Sequence, residues 1–161
     1  MNEMRTILPT NSRREAIKAL NQTVVELLDL FACVKQAHWN MRGTGFARLD
    51  EMAGHIMGHI YRTVERATML GALSNDSFGE TVKQSQLSSE KEVPESLHGP
   101  ADWIQELASL HALACRHIRQ GMKQLAEVQD LGSADLLADI LRTLDTHLWL
   151  LESQLSHQQK N

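Results

Sequence analysis

The sequence has few of the residues that mark sheets, disulfide scaffolds and membrane spans. Among its 161 residues only 4% are aromatic, three are proline and two are cysteine. β-Branched residues do not cluster in short alternating runs. These scarcities argue against a β-sandwich or barrel and favour packed helices. A chain of this length is expected to form one domain that buries its apolar surface without covalent cross-links.

The two cysteines, Cys33 and Cys115, fall inside helical patterns and have no CxxC partner. They are therefore predicted to be reduced core thiols of a cytoplasmic protein, not a disulfide or a zinc clip. The N-terminus shows no apolar run preceded by basic residues, and no stretch is long enough to span a bilayer. We expect no membrane partner.

The formal net charge of -4 argues against a generally basic nucleic-acid binder, because phosphate contacts need clustered lysine and arginine. Glu3 and Glu15 dilute the one local cluster near the start of the chain. DNA is therefore expected to be a weak partner at most, and a solvated tail and helix start also account for the cluster. The basic residues in question are Arg5, Arg13, Arg14 and Lys18, with Lys160 at the far end.

Apolar residues recur at three- and four-residue steps in the first part of the chain, which predicts two long helices after a flexible tail at 1–12. Ser12 with Glu15 has the form of a capping box, so the first helix should begin near residue 13 and run to His38. Gly43 and Gly45 then break the pattern. The second helix should run from about 47 to 70 and stop at Gly71.

A polar segment from 74 to 100 is too long for a tight connection and has room for a short helix near 78–86. The third helix should cover about 101–129. Gly132 should separate it from a fourth helix at about 134–157, with Ser133 as the N-cap. The sequence thus predicts an all-α four-helix bundle domain at 13–158, with a short helix in the long connection between helices two and three.

Three segments of the chain resemble the Dps family, the mini-ferritins of starved bacteria. They are Lys35-Gln36-Ala37-His38-Trp39-Asn40-Met41-Arg42-Gly43, Val64-Glu65-Arg66-Ala67-Thr68-Met69-Leu70-Gly71, and Leu144-Asp145-Thr146-His147-Leu148-Trp149-Leu150-Leu151-Glu152-Ser153. The resemblance implies a ferritin-like bundle assembled into a dodecamer. It also implies cytoplasmic or nucleoid-associated iron storage, in which ferrous iron is oxidised by hydrogen peroxide or oxygen.

The resemblance also implies an iron site between two subunits. Such a site takes a histidine from the end of the first helix, a histidine and an aspartate early in the second, and an acidic pair late in the partner's second helix. His38 and Glu65 match the first and last of these, and Tyr61 replaces the other acidic residue. The chain is four residues shorter between Gly43 and Glu65 than the family pattern. Asp50 therefore takes either the aspartate position, with the early histidine deleted, or the histidine position, with Gly54 in place of the aspartate.

The expected metal and catalytic residues are therefore His38, Asp50 and Glu65, with iron bound and zinc as an alternative occupant of the same site. His55 and His59 are weaker metal candidates, because their i, i+4 spacing suits chelation but histidines there also hydrogen-bond or face water. Helix geometry places Asp50, Gly54, Gly58 and Tyr61 on the same face as Glu65. His111 and Cys115, another i, i+4 pair, are expected to be packing residues.

Two functions stay open from the sequence. One is an active ferroxidase that stores iron as a ferric core and limits oxidative damage. The other is a non-catalytic cage or DNA-protecting protein in which the oxidation site has degenerated. Asp130, Asp135 and Asp139 lie around the turn between the third and fourth helices. The Dps resemblance implies acidic pores at this place that admit cations, and a solvated helix end explains the three residues equally well.

Overall fold

The computed structural model describes residues 8–41, 46–72 and 99–158. These ranges contain four α-helices and no strand: α1 (Thr10–Asn40), α2 (Phe46–Met69), α3 (Pro100–Glu127) and α4 (Leu131–Gln158). The predicted all-α four-helix bundle is confirmed. The first seven residues of the tail and the short helix predicted near 78–86 lie outside the described residues.

Cross-helix contacts set the direction of each helix. His59 meets Thr143 while Arg66 meets Asp130, so α2 and α4 are antiparallel. Contacts between Glu26 and His117 and between Thr23 and Gly121 make α1 and α3 antiparallel as well. Because α1 and α2 are also antiparallel, α2 and α3 run in the same direction. The end of α2 and the start of α3 therefore lie at opposite ends of the bundle, which requires a long connection.

The core is built from aliphatic residues at helical spacing, with little aromatic content. On α1 the residues with no exposed surface are spaced three, four or seven positions apart, and they are Ala16, Leu20, Leu27, Leu30, Val34 and Ala37. On α3 Ala114 is buried, whereas its neighbour Leu113 is only partly buried. The largest fully buried side chains are Leu20, Leu27, Leu30, Ile56, Leu70, Leu107, Ile118, Leu125, Leu137, Ile140, Leu144 and Leu151.

The predicted capping box at Ser12 and Glu15 is wrong. Helix α1 begins at Thr10 after Pro9, and no side chain caps its start. Pro9 has a φ of -56°, and its carbonyl accepts a hydrogen bond from the Arg13 amide at 3.0 Å. Proline is preorganised for a helix start and supplies the first carbonyl, so the helix begins before Ser12 rather than at it.

The predicted stop of α2 at Gly71 is confirmed. Gly71 has a φ of 97°, and the Ala72 amide donates to the carbonyl of Ala67 at 3.0 Å. This is a Schellman termination, in which a left-handed residue directs the next amide back to the last helical turn. None of the described helices is both long and apolar enough to cross a membrane.

The turn between α3 and α4 differs from the prediction. Gln129, with a φ of 61°, makes the reversal, and α4 begins at Leu131. Asp130 caps this helix, because its Oδ1 accepts from the Ser133 amide at 3.1 Å, so Ser133 is not the N-cap. Gly132 lies inside α4, where an added Cβ would come within 3.3 Å of Nη2 of Arg66. Its role is to admit that arginine, not to break the helix.

Candidate metal centre

His38 and Asp50 lie together where the end of α1 meets the start of α2. Nδ1 of His38 is 3.7 Å from Oδ1 of Asp50. The imidazole is largely buried, with 10% of its side chain exposed, whereas 62% of the Asp50 side chain is exposed. The predicted pair therefore presents one largely buried imidazole and one exposed carboxylate at the protein surface.

A lysine ammonium group lies between these two candidate ligands. Nζ of Lys35 is 2.8 Å from Oδ1 of Asp50 and 3.2 Å from Nδ1 of His38. The Lys35 hydrogen bond, followed by its positive charge, lowers the pKa of Asp50. The carboxyl group is thus held ionised beside a cation, and the three groups form a small cation-binding arrangement in which lysine supplies the charge.

Glu65 is far from this pair within one chain. It lies fifteen residues after Asp50 on the same helix, a distance of about 22 Å along the axis at 1.5 Å per residue. Its side chain is exposed. The fold therefore does not bring Glu65 to His38, and only a second copy of the chain could do so.

The face of α2 that carries Glu65 is exposed along its length. Gly54, Gly58 and Tyr61 are all exposed, as helical geometry predicted, and an added Cβ at either glycine would meet nothing within 4 Å. Tyr61 is 70% exposed, and Trp39 at the end of α1 is 73% exposed. These surfaces combine open backbone with aromatic side chains, which is typical of faces that pack against another subunit.

His55 and His59 make separate contacts. Nε2 of His59 lies 2.9 Å from Oγ1 of Thr143, and burial lowers the pKa of this imidazole. His55 turns instead to His147 on α4, with Nδ1 of His55 3.2 Å from Nε2 of His147 and the rings stacked at 5.5 Å between centroids. The two histidines thus contact different residues of α4, and metal binding by this i, i+4 pair stays a prediction.

His147 continues this contact into the core, where His111 packs edge-on against it at 5.6 Å between ring centroids. His111 is fully buried, and its Nδ1 donates to the Leu107 carbonyl at 2.8 Å. Burial lowers the pKa of His111 to about 4, and burial together with neighbouring imidazoles lowers that of His147 to about 3. His111 packs as predicted, but its contact with His147 was not predicted, since both residues occupy ordinary core positions of amphipathic helices.

Asp130 and Asp139, two of the three acidic residues near the turn between α3 and α4, are paired with arginines. Asp130 is buried, and its Oδ1 accepts from Nη2 of Arg66 at 2.8 Å. Asp139 is paired with Arg62 and with Arg142, and these contacts lower its pKa. Asp130 therefore cannot line a pore, and of the three only Asp135 is exposed.

Both cysteines are free thiols, as predicted. Burial raises the pKa of Cys33 to about 11 and that of Cys115 to about 12, so neither is a reactive thiolate at neutral pH. Glu26, a buried carboxylate on α1, was not among the residues predicted from the sequence. Its Oε1 accepts from Gln22 at 2.7 Å and its Oε2 lies 3.1 Å from Nδ1 of His117.

With their side chains in the rotamers of this structure, no three His, Cys, Asp or Glu residues of the described ranges are arranged to hold a metal ion. The candidate centre built by one chain is thus a pair, His38 and Asp50, that needs further donors. Its position at an exposed edge leaves room for donors from a second chain or from solvent.

Comparison with known proteins agrees with this fold. The ferritin-like domain model matches residues 17–160. The DNA protection during starvation protein of Agrobacterium fabrum is 27% identical over 155 residues, covering 94% of each chain. Its namesake in Streptococcus suis is 25% identical over 167 residues, covering 98% of this chain and 93% of the relative.

Two solved structures are similar over nearly their whole length. DpsC from Streptomyces coelicolor has a TM-score of 0.84 at 23% identity, covering 96% of this chain and 91% of that one. The Dps protein of Vibrio cholerae O1, described as a member of the ferritin-like diiron-carboxylate superfamily, has a TM-score of 0.79 at 25% identity, covering 96% and 99%. The chain belongs to the ferritin-like family, and its resemblance to the Dps proteins within that family is confirmed.

Proposed function

We propose that this protein is a Dps-type mini-ferritin that binds ferrous iron, oxidises it and stores it as a ferric core. Iron is the substrate and the stored product. His38 and Asp50 of one chain, with Glu65 of the partner subunit, would form the oxidation site, and zinc is an alternative occupant. The observation that carries the proposal is the convergence of His38 and Asp50 on one cation, the Lys35 ammonium group, in a ferritin-like bundle.

The ligand set suits this chemistry. Imidazole binds divalent iron, and carboxylate oxygen stabilises the ferric product more than the ferrous substrate, which favours loss of an electron. With peroxide as the oxidant, two ferrous ions each give up one electron. The peroxide takes up these two electrons and two protons, its O–O bond breaks, and two water molecules form.

An assembly of at least two chains is required for this role, because the fold keeps Glu65 far from His38 and Asp50 within one chain. We propose the dodecamer that the resemblance implies, with the exposed faces at Trp39 and Tyr61 covered by neighbouring copies. Closed symmetric assembly is common among homo-oligomers. The particle mass should be about twelve times the chain mass of 18.1 kDa. A monomer or dimer at micromolar concentration, measured by light scattering, would contradict this assembly.

The ferroxidase proposal is tested by peroxide-driven oxidation of ferrous iron, followed by ultraviolet absorbance. His38→Ala and Glu65→Ala should each slow oxidation at least tenfold, and the double variant should lose little more, because residues of one site act as a unit. His59→Gln is the matched control, since His59 is engaged with Thr143.

One observation favours a second function, a non-catalytic cage that protects DNA. In the single chain the cation between His38 and Asp50 is already a lysine, and Tyr61 and Gly54 supply no carboxylate. If the wild-type protein oxidises ferrous iron no faster than buffer, the result would favour this second function over the first. A loss of activity only with changes at His55 or His59 would place the oxidation centre elsewhere.

A further inference from the structure

The contact between His55 and His147 lies beside a cavity of about 430 Å³ that opens between α2 and α4. The cavity is also lined by Glu51, which precedes His55 by four residues on α2. Residues four apart share one face of a helix, so Glu51 and His55 face the cavity from one side while His147 faces it from the other. None of these three residues belongs to the candidate centre at His38.

We propose that Glu51, His55 and His147 form a second metal site, which takes one divalent transition-metal ion per chain at the mouth of this cavity. Two imidazole nitrogens and one carboxylate are a ligand set suited to zinc, iron, cobalt or copper. The open side of the cavity leaves the remaining coordination positions to solvent.

The spacing of the two nitrogens supports the site. Two nitrogen ligands of one tetrahedral metal ion, each about 2.0–2.1 Å from it, lie about 3.3 Å apart. Nδ1 of His55 and Nε2 of His147 are 3.2 Å apart. The contact between them in the metal-free chain therefore holds both nitrogens near the separation that a metal requires. When a metal replaces the proton between them, that proton leaves for a nitrogen that does not bind the metal or for solvent.

The surroundings of His147 hold its imidazole in place for binding a metal. His147 is 2% exposed, and His111 packs edge-on against its ring, which fixes the ring plane. Its Nε2 is the atom that faces His55. Among the described residues its Nδ1 is buried without a hydrogen-bond partner, and an ion bound at Nε2 would favour the tautomer with a proton on Nδ1.

Glu51 would complete the site by a change of side-chain rotamer. Glu51 is exposed, so it can change rotamer at little cost and approach the imidazole pair. Arg48 lines the same cavity, so net charge alone does not attract a cation. Affinity has to come from imidazole coordination, which favours transition metals over Ca²⁺ or Mg²⁺.

The test uses the whole protein with the other centre disabled by His38→Ala and Asp50→Asn. After chelator treatment, Co²⁺ is titrated and its visible ligand-field absorption is recorded, with Zn²⁺ competition giving the affinity. We expect one Co²⁺ per chain, abolished by His55→Ala or His147→Gln and weakened at least tenfold by Glu51→Gln. His59→Gln is the matched control and should leave binding unchanged, as should excess Ca²⁺.

Circular dichroism confirms folding of each variant, and because His55 and Glu51 are exposed, their replacement tests the site even if the His147 variant unfolds. No Co²⁺ bound by the disabled parent, or binding unaffected by His55→Ala, would overturn the proposal. Binding that is lost with His59→Gln and kept with His147→Gln would also overturn it, since the metal would then be chelated by the i, i+4 pair on α2.

Discussion

Nζ of Lys35 lies 2.8 Å from Oδ1 of Asp50, joining the last turns of α1 to the first turn of α2. The same ammonium group is 3.2 Å from Nδ1 of His38. A metal ion that used both His38 and Asp50 would therefore have to displace a positive charge before binding.

Removing this charge should strengthen the candidate centre. Lys35→Met is expected to raise the affinity for Zn²⁺ or Fe²⁺ by about tenfold, equivalent to about 1.4 kcal/mol, because the metal no longer competes with an ammonium group. Isothermal titration of the metal-free protein measures this change. Lys18→Met, an exposed lysine on the same helix, is the control. A weaker affinity after Lys35→Met would mean that the lysine positions Asp50 for the metal.

Stability should fall in mild acid because of the buried histidines. The folded pKa of His111 is about 4, against an ordinary value of 6.5, so between these values the unfolded chain binds a proton that the folded chain does not. The stability is therefore greatest above about pH 6.5 and falls as the pH drops toward 4, at up to about 1.4 kcal/mol per pH unit for this one histidine. His147, which packs on His111 from α4, adds in the same direction.

Thermal unfolding of metal-free protein between pH 7 and 4.5 checks this expectation. His111→Leu should make the pH dependence of the melting temperature less steep, because the variant has one buried imidazole fewer to protonate on unfolding. An equally steep dependence in the variant would show that other groups, such as the paired carboxylates, govern the acid response.

The buried pair of Glu26 and His117 should matter more for stability than for iron chemistry. His117→Ala leaves the Glu26 carboxylate buried with Gln22 as its remaining hydrogen-bond donor, and should lower the free energy of unfolding by about 3 kcal/mol. The double replacement Glu26→Leu and His117→Leu should cost less than His117→Ala alone, since no charge is left buried. Thermal unfolding at one protein concentration distinguishes the two, and a larger loss in the double variant would contradict this reasoning.

Gln129 and Gly71 both have a left-handed backbone conformation, and substitutions at these two positions should change stability in opposite directions. Gln129 has a φ of 61°, so Gln129→Gly should stabilise the protein by about 1 kcal/mol. Gly71 has a φ of 97°, so Gly71→Ala should destabilise it by a similar or larger amount. Melting temperatures of the two variants, compared with wild type, test both signs, and a stabilising Gly71→Ala would refute the assigned backbone conformation.

DNA binding should be weak at physiological salt. Arg13 is only 8% exposed and donates to Thr10, so the N-terminal basic cluster has fewer available cations than the sequence suggested. Phosphate contacts also weaken steeply as salt rises. A gel shift at about 150 mM salt measures this. A robust shift that survives deletion of residues 1 to 14 would show a different DNA-binding surface.

The sequence by itself determined the helices and the family. Apolar spacing defined four long helices, and Gly71 marked one end correctly, because helical periodicity and backbone freedom are local properties. The segments around His38 and Glu65 carried the Dps resemblance because a resemblance depends only on the order of residues along the chain. The start at Pro9 and the turn at Gln129 were missed because Ser12 and Gly132 offered stronger local signals than the residues that the packed chain uses.

Only the tertiary structure decided how the site residues are arranged. The lysine between His38 and Asp50 and the contact between His55 and His147 each join different helices, the latter two residues being 92 positions apart. No local pattern records such contacts, because they depend on how amphipathic faces rotate and pack against each other. The proposed meeting of Glu65 with His38 depends on one step more, the packing of a second chain against the first.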